Sequence, residues 1–247
     1  MDQFGRESLT ARVTRLLGSA IVSGGFRPGD VLPNEAQLGE QFDVGRSAVR
    51  EAVKILSAKG LIDARPRRGT VVQPIGNWNF LDTEILLWAL DATVDRRFLI
   101  ELTDMRLAFE PSAAALAAIS AEPAERDRIE RALQAMALAQ DGVGDPIRAD
   151  LEFHKAIIAA SHNRFMRPLA ALIGTALQLS FRVTNAATGR TGGDVAAHER
   201  VWIAIRDGEA DMARQAMTDL LDEAGEVIRA NAASKEDPAP ERAVSIG

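Results

Sequence analysis

The chain has no cysteine, no tyrosine and only three histidines among its 247 residues. Without cysteine there is no disulfide scaffold, no thiolate zinc site, no iron–sulfur cluster and no cysteine nucleophile. So few histidines leave carboxylates as the main general acid–base candidates. No stretch approaches the ~18 uncharged apolar residues that a membrane helix needs. The opening residues MDQFGRESLT lack the basic-then-apolar pattern of a secretory signal. The expected compartment is therefore the cytoplasm, with no membrane partner. What is present is ordinary for a globular protein: 47% hydrophobic and 26% charged residues, which excludes wholesale disorder. The length allows one large domain or two modest ones.

Charge is spread unevenly. The net charge is −6, but residues 1–75 carry 11 Lys+Arg against 8 Asp+Glu. Within 43–75, seven basic residues (Arg46, Arg50, Lys54, Lys59, Arg65, Arg67, Arg68) stand against three acidic ones. A basic segment at one end of an acidic chain fits an anionic partner such as nucleic acid; a solvated basic face is the plain alternative.

The text changes character near 75–80, where VVQPIGNWN (71–79) has turn-formers and no helical period. Before it, Leu9, Val13, Leu16, Leu17, Ala20 and Ile21 form one helical face over 8–23. A short helix follows from Asn34 to Phe42, then Asp43-Val44-Gly45 as a tight connector, then a third helix over 46–58. Two extended runs, 61–64 and 70–72, flank the turn Arg65-Pro66-Arg67-Arg68-Gly69. After residue 80 the pattern is helical, with helices expected near 82–91, 95–120, 123–140, 146–161, 165–187, 194–207 and 209–231. Pro111 predicts a kink and Pro168 a first-turn position. The expected organisation is a domain over 1–75, a linker over 76–81, an all-helical domain over 82–231 and a disordered tail over 232–247.

Two helices joined by a short turn and followed by a β-hairpin make a winged helix-turn-helix. A recognition helix presents its N-terminal residues to base edges in the major groove. Here these are Gly45, Arg46, Ser47 and Arg50. Arg46 and Arg50, four residues apart, share a face and can each grip guanine O6 and N7. Arg65, Arg67, Arg68 and Gly69 of the hairpin turn suit phosphates or a minor groove.

These residues resemble a known family. Leu32-Pro33-Asn34-Glu35-Ala36-Gln37-Leu38, Val44 through Ala52, Lys59-Gly60-Leu61-Ile62 and Arg68-Gly69-Thr70-Val71-Val72 are similar to the DNA-binding domain of GntR-family bacterial transcription regulators. The resemblance implies that Arg46, Ser47 and Arg50 contact operator DNA and that the 65–70 turn enters the minor groove. Ala36 stands where many relatives carry an arginine, which implies one missing contact and a different operator.

In the helical region, Asp150 and His154 lie one turn apart on one helix face. Together they can grip a divalent cation such as zinc or nickel, with His198 as a third ligand; a surface charge pair is the plain alternative. His162 is expected to be exposed. Trp78, Phe80, Trp88 and Trp202 are expected in cores or at a domain interface. Residues 82–231, with Met105 through Pro111, Asp150 through His154, Ser161-His162-Asn163 and His198 through Gly208, resemble the FCD effector domain of the FadR-like branch. That resemblance implies metal ligands at Asp150, His154 and His198. The family's further histidine falls where this chain has Leu220, beside Asp219, so that ligand is absent or replaced. The site then holds either a metal on three protein ligands or, without metal, an anion bonded directly by His154 and His198. It also implies that Arg106 lines the cavity. Read alone, Arg106 makes a surface pair with Glu110, and Asn163 is either a helix cap or a pocket group. The effector-binding set is Arg106, Asn163, His154 and His198. The 77–88 stretch resembles members that respond to sugar acids such as galactonate.

The reading is a mainly α protein: a winged helix-turn-helix domain followed by an all-α bundle. Its expected function is that of a homodimeric repressor of a catabolic operon, whose grip on double-stranded operator DNA is set by a small carboxylate. Two other readings are an enzyme built on Asp150, His154 and His198 with an auxiliary DNA-binding domain, and an architectural DNA binder. The first lacks a nucleophile motif or phosphate loop; the acidic second domain argues against the other.

Overall fold

A computed structural model of the chain describes residues 7–65, 69–91, 96–175, 177–178 and 193–233. The described residues fall into two compact units, 7–91 and 96–233.

The first unit begins with α1 (Leu9–Val22), whose start is capped by Ser8 accepting from the Ala11 amide. Val13, Leu17 and Ile21 recur every fourth residue and are buried together. α2 (Glu35–Phe42) opens with a capping box between Asn34 and Gln37 and ends at Asp43, in the left-handed region at φ 51°. α3 (Arg46–Ala58) buries Val49, Ala52, Val53 and Leu56. β1 (Ile62–Arg65) and β2 (Gly69–Val72) pair antiparallel, Ile62 opposite Val72 and Arg65 opposite Gly69. Val31 bridges to Val71 on the hairpin's other edge.

The chain then folds back on the end of α3. Gly60 has φ +79°, and a Cβ there would lie 2.1 Å from the Asn77 carbonyl oxygen, so only glycine permits this crossing. The Asn79 amide donates to the Lys59 carbonyl at 3.0 Å. Lys59 Nζ reaches Asp82 at 2.5 Å and Glu84 at 2.7 Å, and lies over the Trp88 ring. Trp78, Ile85 and Trp88 join the core formed by α1, α3 and the hairpin.

This corrects the expected boundary. α4 (Thr83–Asp91) was read as the first helix of the second domain, after a linker at 76–81; it packs on α1 in the first unit. The reason is a notch in α1: at Gly18 a Cβ would sit 2.4 Å from the Trp88 ring. We expect Gly18→Val to destabilise the protein by about 1–3 kcal/mol, as overpacking does, despite valine's better helix propensity. Chemical denaturation of the full chain checks this; an unshifted midpoint would contradict the α1–α4 packing.

The second unit is helical throughout its described residues: α5 (Arg96–Ser120), α6 (Pro123–Gln140), α7 (Pro146–Ala160), α8 (Val195–Arg206) and α9 (Ala210–Ala233). Residues 170–175 are also helical, preceded by a 3-10 turn at Arg167–Leu169 that holds Pro168 at its start, as expected. Pro111 lies inside the continuous α5. Prolines at the first turns of α6 and α7, with caps at Glu122 and Asp145, account for the sharp helix starts. Small residues set the spacing: Ala113, Ala114, Ala117 and Ala118 of α5 are all buried, so neighbouring helices approach closely. The core gathers Ile129, Phe153, Ile157, Val201, Trp202, Met217 and Leu221. α9 extends into the expected tail through Ala233; residues 234–247 and, of the expected 165–187 helix, residues 176 and 179–187 lie outside the described residues. Among the described residues no helix is long and apolar enough to cross a membrane.

Candidate functional site

The reading head is assembled by the start of α3. Gly45, Arg46, Ser47 and Arg50 are all exposed there, while Val49, Val53 and Leu56 face the core. Helix periodicity thus separates a packing face from an open one, as the sequence predicted. Arg50 is steadied by Glu35 of α2, with Nε 3.3 Å from Oε1 and Nη2 3.0 Å from Oε2. Both partners are exposed, so the pair adds little stability; its effect is on where the guanidinium points. Arg12 Nη2 donates to the Phe42 carbonyl at 2.6 Å and ties α1 to the end of α2. At the hairpin, Gly69 adopts φ +79° and is exposed opposite Arg65. Arg67 and Arg68 lie outside the described residues.

The second unit carries a buried polar cluster. Asp150 and His154 on α7, His198 on α8, and Arg106 and Glu110 on α5 are all buried. His154 Nε2 lies 3.2 Å and His198 Nε2 3.5 Å from the same oxygen, Asp150 Oδ1. For ligands ~2.1 Å from a cation, tetrahedral edges are ~3.4 Å. The donor spacing therefore fits a metal ion, and all three donors lie within 4.8 Å of one another. Second contacts orient both rings. His198 Nδ1 lies 2.7 Å from the Asp194 carbonyl oxygen, so that nitrogen donates and Nε2 faces the cluster as a lone pair. His154 Nδ1 lies 2.5 Å from Glu110 Oε2, an ion-pair contact not aligned as a hydrogen bond. Asp150 Oδ1 and His198 Nε2 have no hydrogen-bond partner. Leaving such buried atoms unmet costs about 1–3 kcal/mol each, and a cation between them meets both. Gly193 covers this spot: a Cβ there would be 2.5 Å from Asp150 Oδ2.

Charge is balanced within the cluster. Burial works to raise Glu110, but Arg106 and His154 hold it down at about 2. Burial likewise opposes the charge on Asp150, and His198 and His154 keep it well below the ordinary carboxylate range. Burial would lower His154, yet Glu110 and then Asp150 push it up to about 9. A bound divalent cation would take the place of that proton at Nε2.

One placement departs from the expectations. The Arg106–Glu110 pair exists, with Nε 2.6 Å from Oε1, but at 4% and 1% exposure it is not a surface pair. Arg106 Nη2 lies 3.3 Å from His154 Nε2, at the edge of the three donors. Asn163, expected in the effector-binding set, accepts from the Phe165 amide through its side-chain oxygen. It lies beyond Ala160, where α7 ends. Leu220 packs in the core among Phe153 and Val201, and among the described residues α9 supplies no fourth ligand. His162 is exposed, as expected, and pairs with Glu125 at 2.8 Å. Sequence reasoning missed Glu110 and Gly193 as parts of the site. For Glu110 a signal was present, its place one turn after Arg106; for Gly193 there was none.

Comparison with known proteins agrees with this division. Residues 9–72 match the pattern of "Bacterial regulatory proteins, gntR family", and residues 101–223 match the FCD domain. The HTH-type transcriptional regulator YieP of Escherichia coli K12 is 34% identical over 87% of this chain and 94% of its own length. The galactonate operon transcriptional repressor of the same organism is 32% identical over 86% of this chain and 93% of its own length. Among solved structures, Lar of Listeria monocytogenes superposes with a TM-score of 0.63 at 18% identity, covering 93% of this chain and 99% of that one, a likeness of fold.

Proposed function

This chain belongs to the gntR family of bacterial regulatory proteins and carries an FCD domain, and from that premise we propose which ligand it answers to and which residues read it. It is a ligand-responsive DNA-binding transcription regulator; its relatives are transcription regulators, and the enzyme reading has no support from them. The proposal is that it represses a catabolic operon as a homodimer and lets go when a small carboxylate, of the sugar-acid class, enters the helical unit. The observation that carries this is a cationic arginine buried against a three-donor set: Arg106 Nη2 3.3 Å from His154 Nε2, which is 3.2 Å from Asp150. A buried guanidinium beside an open donor edge suits a carboxylate with a neighbouring hydroxyl.

In this reading Asp150, His154 and His198 hold a zinc or nickel ion, which supplies a seat for a carboxylate or hydroxyl oxygen. With three protein donors and a leucine at 220, a coordination position stays open. Arg106 takes the far carboxylate oxygens. His154 and His198 present Nε2, and Gly193, where no side chain fits, closes over Asp150. Arg46, Ser47 and Arg50 read base edges; Arg65, Arg67, Arg68 and Gly69 act at the backbone or minor groove. Two copies read two half-sites about one DNA turn apart. Release requires that the ligand bind the DNA-free arrangement more tightly, and operator DNA then weakens the ligand by the same factor. A sugar-acid similarity to the galactonate repressor supports the choice of ligand class.

The test is operator binding by fluorescence anisotropy with a panel of aldonic, uronic and hydroxy acids, run with as-purified and chelator-treated protein. At least one acid should lower operator affinity tenfold or more, equal to about 1.4 kcal/mol, and chelation should abolish the response. If no acid changes DNA affinity or melting temperature, the carboxylate reading fails.

A further inference from the structure

The pocket reading leaves one buried carboxylate without a task. Glu110 is neither a donor to the cation nor a contact for the incoming anion. It sits at the middle of the cluster, with Oε1 accepting from Arg106 Nε at 2.6 Å and Oε2 facing His154 Nδ1 at 2.5 Å. Removing a carboxylate from water is costly, and an apolar pair of similar volume would pack an alanine-lined helix at least as well. Packing therefore gives no reason for this residue.

The ring it faces gives one. An imidazole has nitrogens on opposite sides, and the partner at one decides what the other offers. A negative carboxylate beside Nδ1 favours the proton on that nitrogen by charge, while Nε2 lies toward Asp150 and Arg106. The Asp194 carbonyl does the same for His198. The two rings are thus oriented by different means: one by the backbone at the start of α8, the other by a side chain of α5. That side chain also holds the arginine.

We infer that Glu110 is the positioning residue of this site, presenting His154 Nε2 as a donor with one oxygen and fixing Arg106 beside it with the other. The inference rests on the cation-and-carboxylate reading of the pocket. It makes α5 the element through which the two halves of that pocket depend on each other. A glutamine at 110 cannot serve both partners, because its amide has one accepting oxygen and would aim an NH2 group at the other donor.

The experiment uses the full-length protein with zinc as the probe. Affinity is measured by competition with a chromophoric chelator, and proton placement by imidazole 15N–1H correlation spectra of the metal-free protein. Glu110→Gln should weaken zinc about 10- to 100-fold, the range for outer-shell partners of ligating histidines, and the His154 Nδ1 proton signal should shift or vanish. Glu110→Asp keeps the charge but shortens the reach by one methylene; it should show a smaller loss in the same direction, and it decides the matter if the glutamine variant does not fold. Wild-type zinc affinity with an unchanged ring signal in either variant overturns the assignment. If the wild-type protein takes up no zinc, the cation reading fails, and the ring signal still judges Glu110: a His154 Nδ1 proton indifferent to Glu110→Gln overturns it.

Discussion

Replacing Arg46 and Arg50 together by alanine is expected to erase the preference for operator over scrambled DNA while leaving the fold intact. Both side chains are exposed at the start of α3, and neither contributes to the core formed by Val49, Val53 and Leu56. Their loss should therefore not be felt in stability. A bidentate arginine–guanine contact is worth ~1–3 kcal/mol of discrimination. In a dimer each substitution counts at two half-sites, so the double variant removes a sum comparable with the ~4–10 kcal/mol that separates specific from non-specific binding. Residual binding should be the electrostatic part, indifferent to sequence and falling steeply with salt. Anisotropy titrations with operator and scrambled duplexes at one fixed ionic strength measure the ratio. An unchanged ratio would remove Arg46 and Arg50 from base recognition.

The second large effect belongs to His154→Ala. Its ring faces both Glu110 and Asp150, so truncation removes a donor from a three-donor set and leaves two buried carboxylates with less positive charge. Breaking a buried pair in this way costs about 3–5 kcal/mol, so the helical unit should melt earlier. Bound zinc should fall from stoichiometric to background, and the carboxylate response should be lost. DNA affinity without ligand should stay near the wild-type value, because the reading head has its own core. Elemental analysis, melting curves and operator titrations check the three parts. Asp150→Asn, nearly isosteric, separates lost metal from lost packing: it should lose the metal while keeping most of the volume. A His154→Ala protein that still releases DNA at the wild-type ligand concentration would contradict the pocket assignment.

Much of this architecture was legible because the chain marks its own helix ends. Asn34 with Gln37, Pro123 after Glu122, and Pro146 after Asp145 each fix a start through local hydrogen bonds or a preset backbone angle. The placement of α4 was not legible. Periodicity shows that 82–91 has an apolar face, but the partner of Trp88 is a missing side chain seventy residues earlier, at Gly18. The site divides in the same way. Asp150 and His154 share a face by spacing alone. Arg106 and Glu110 are equally well spaced, yet α5 is apolar on several sides, so its sequence does not say which side meets water. Burial of that pair is decided by α7 packing across α5. His198 could be named as a candidate third ligand, but no spacing brings α8 to α7, which is a long-range matter. Leu220 packs in the core among Phe153 and Val201.

The staple between the end of α3 and the residues after the hairpin has a practical consequence for anyone who would transplant this reading head. Lys59, Gly60, Asn77, Trp78 and Trp88 make the segment from 73 to 91 part of the first unit's interior. A hybrid sensor joined at residue 75, where the composition changes, would cut away Trp88 and leave the Gly18 notch open to water, with Lys59 stripped of both carboxylates. The exchangeable cartridge ends after Asp91. A junction placed there would carry its own lid, and the borrowed effector unit would have to pull on α4 rather than on the wing.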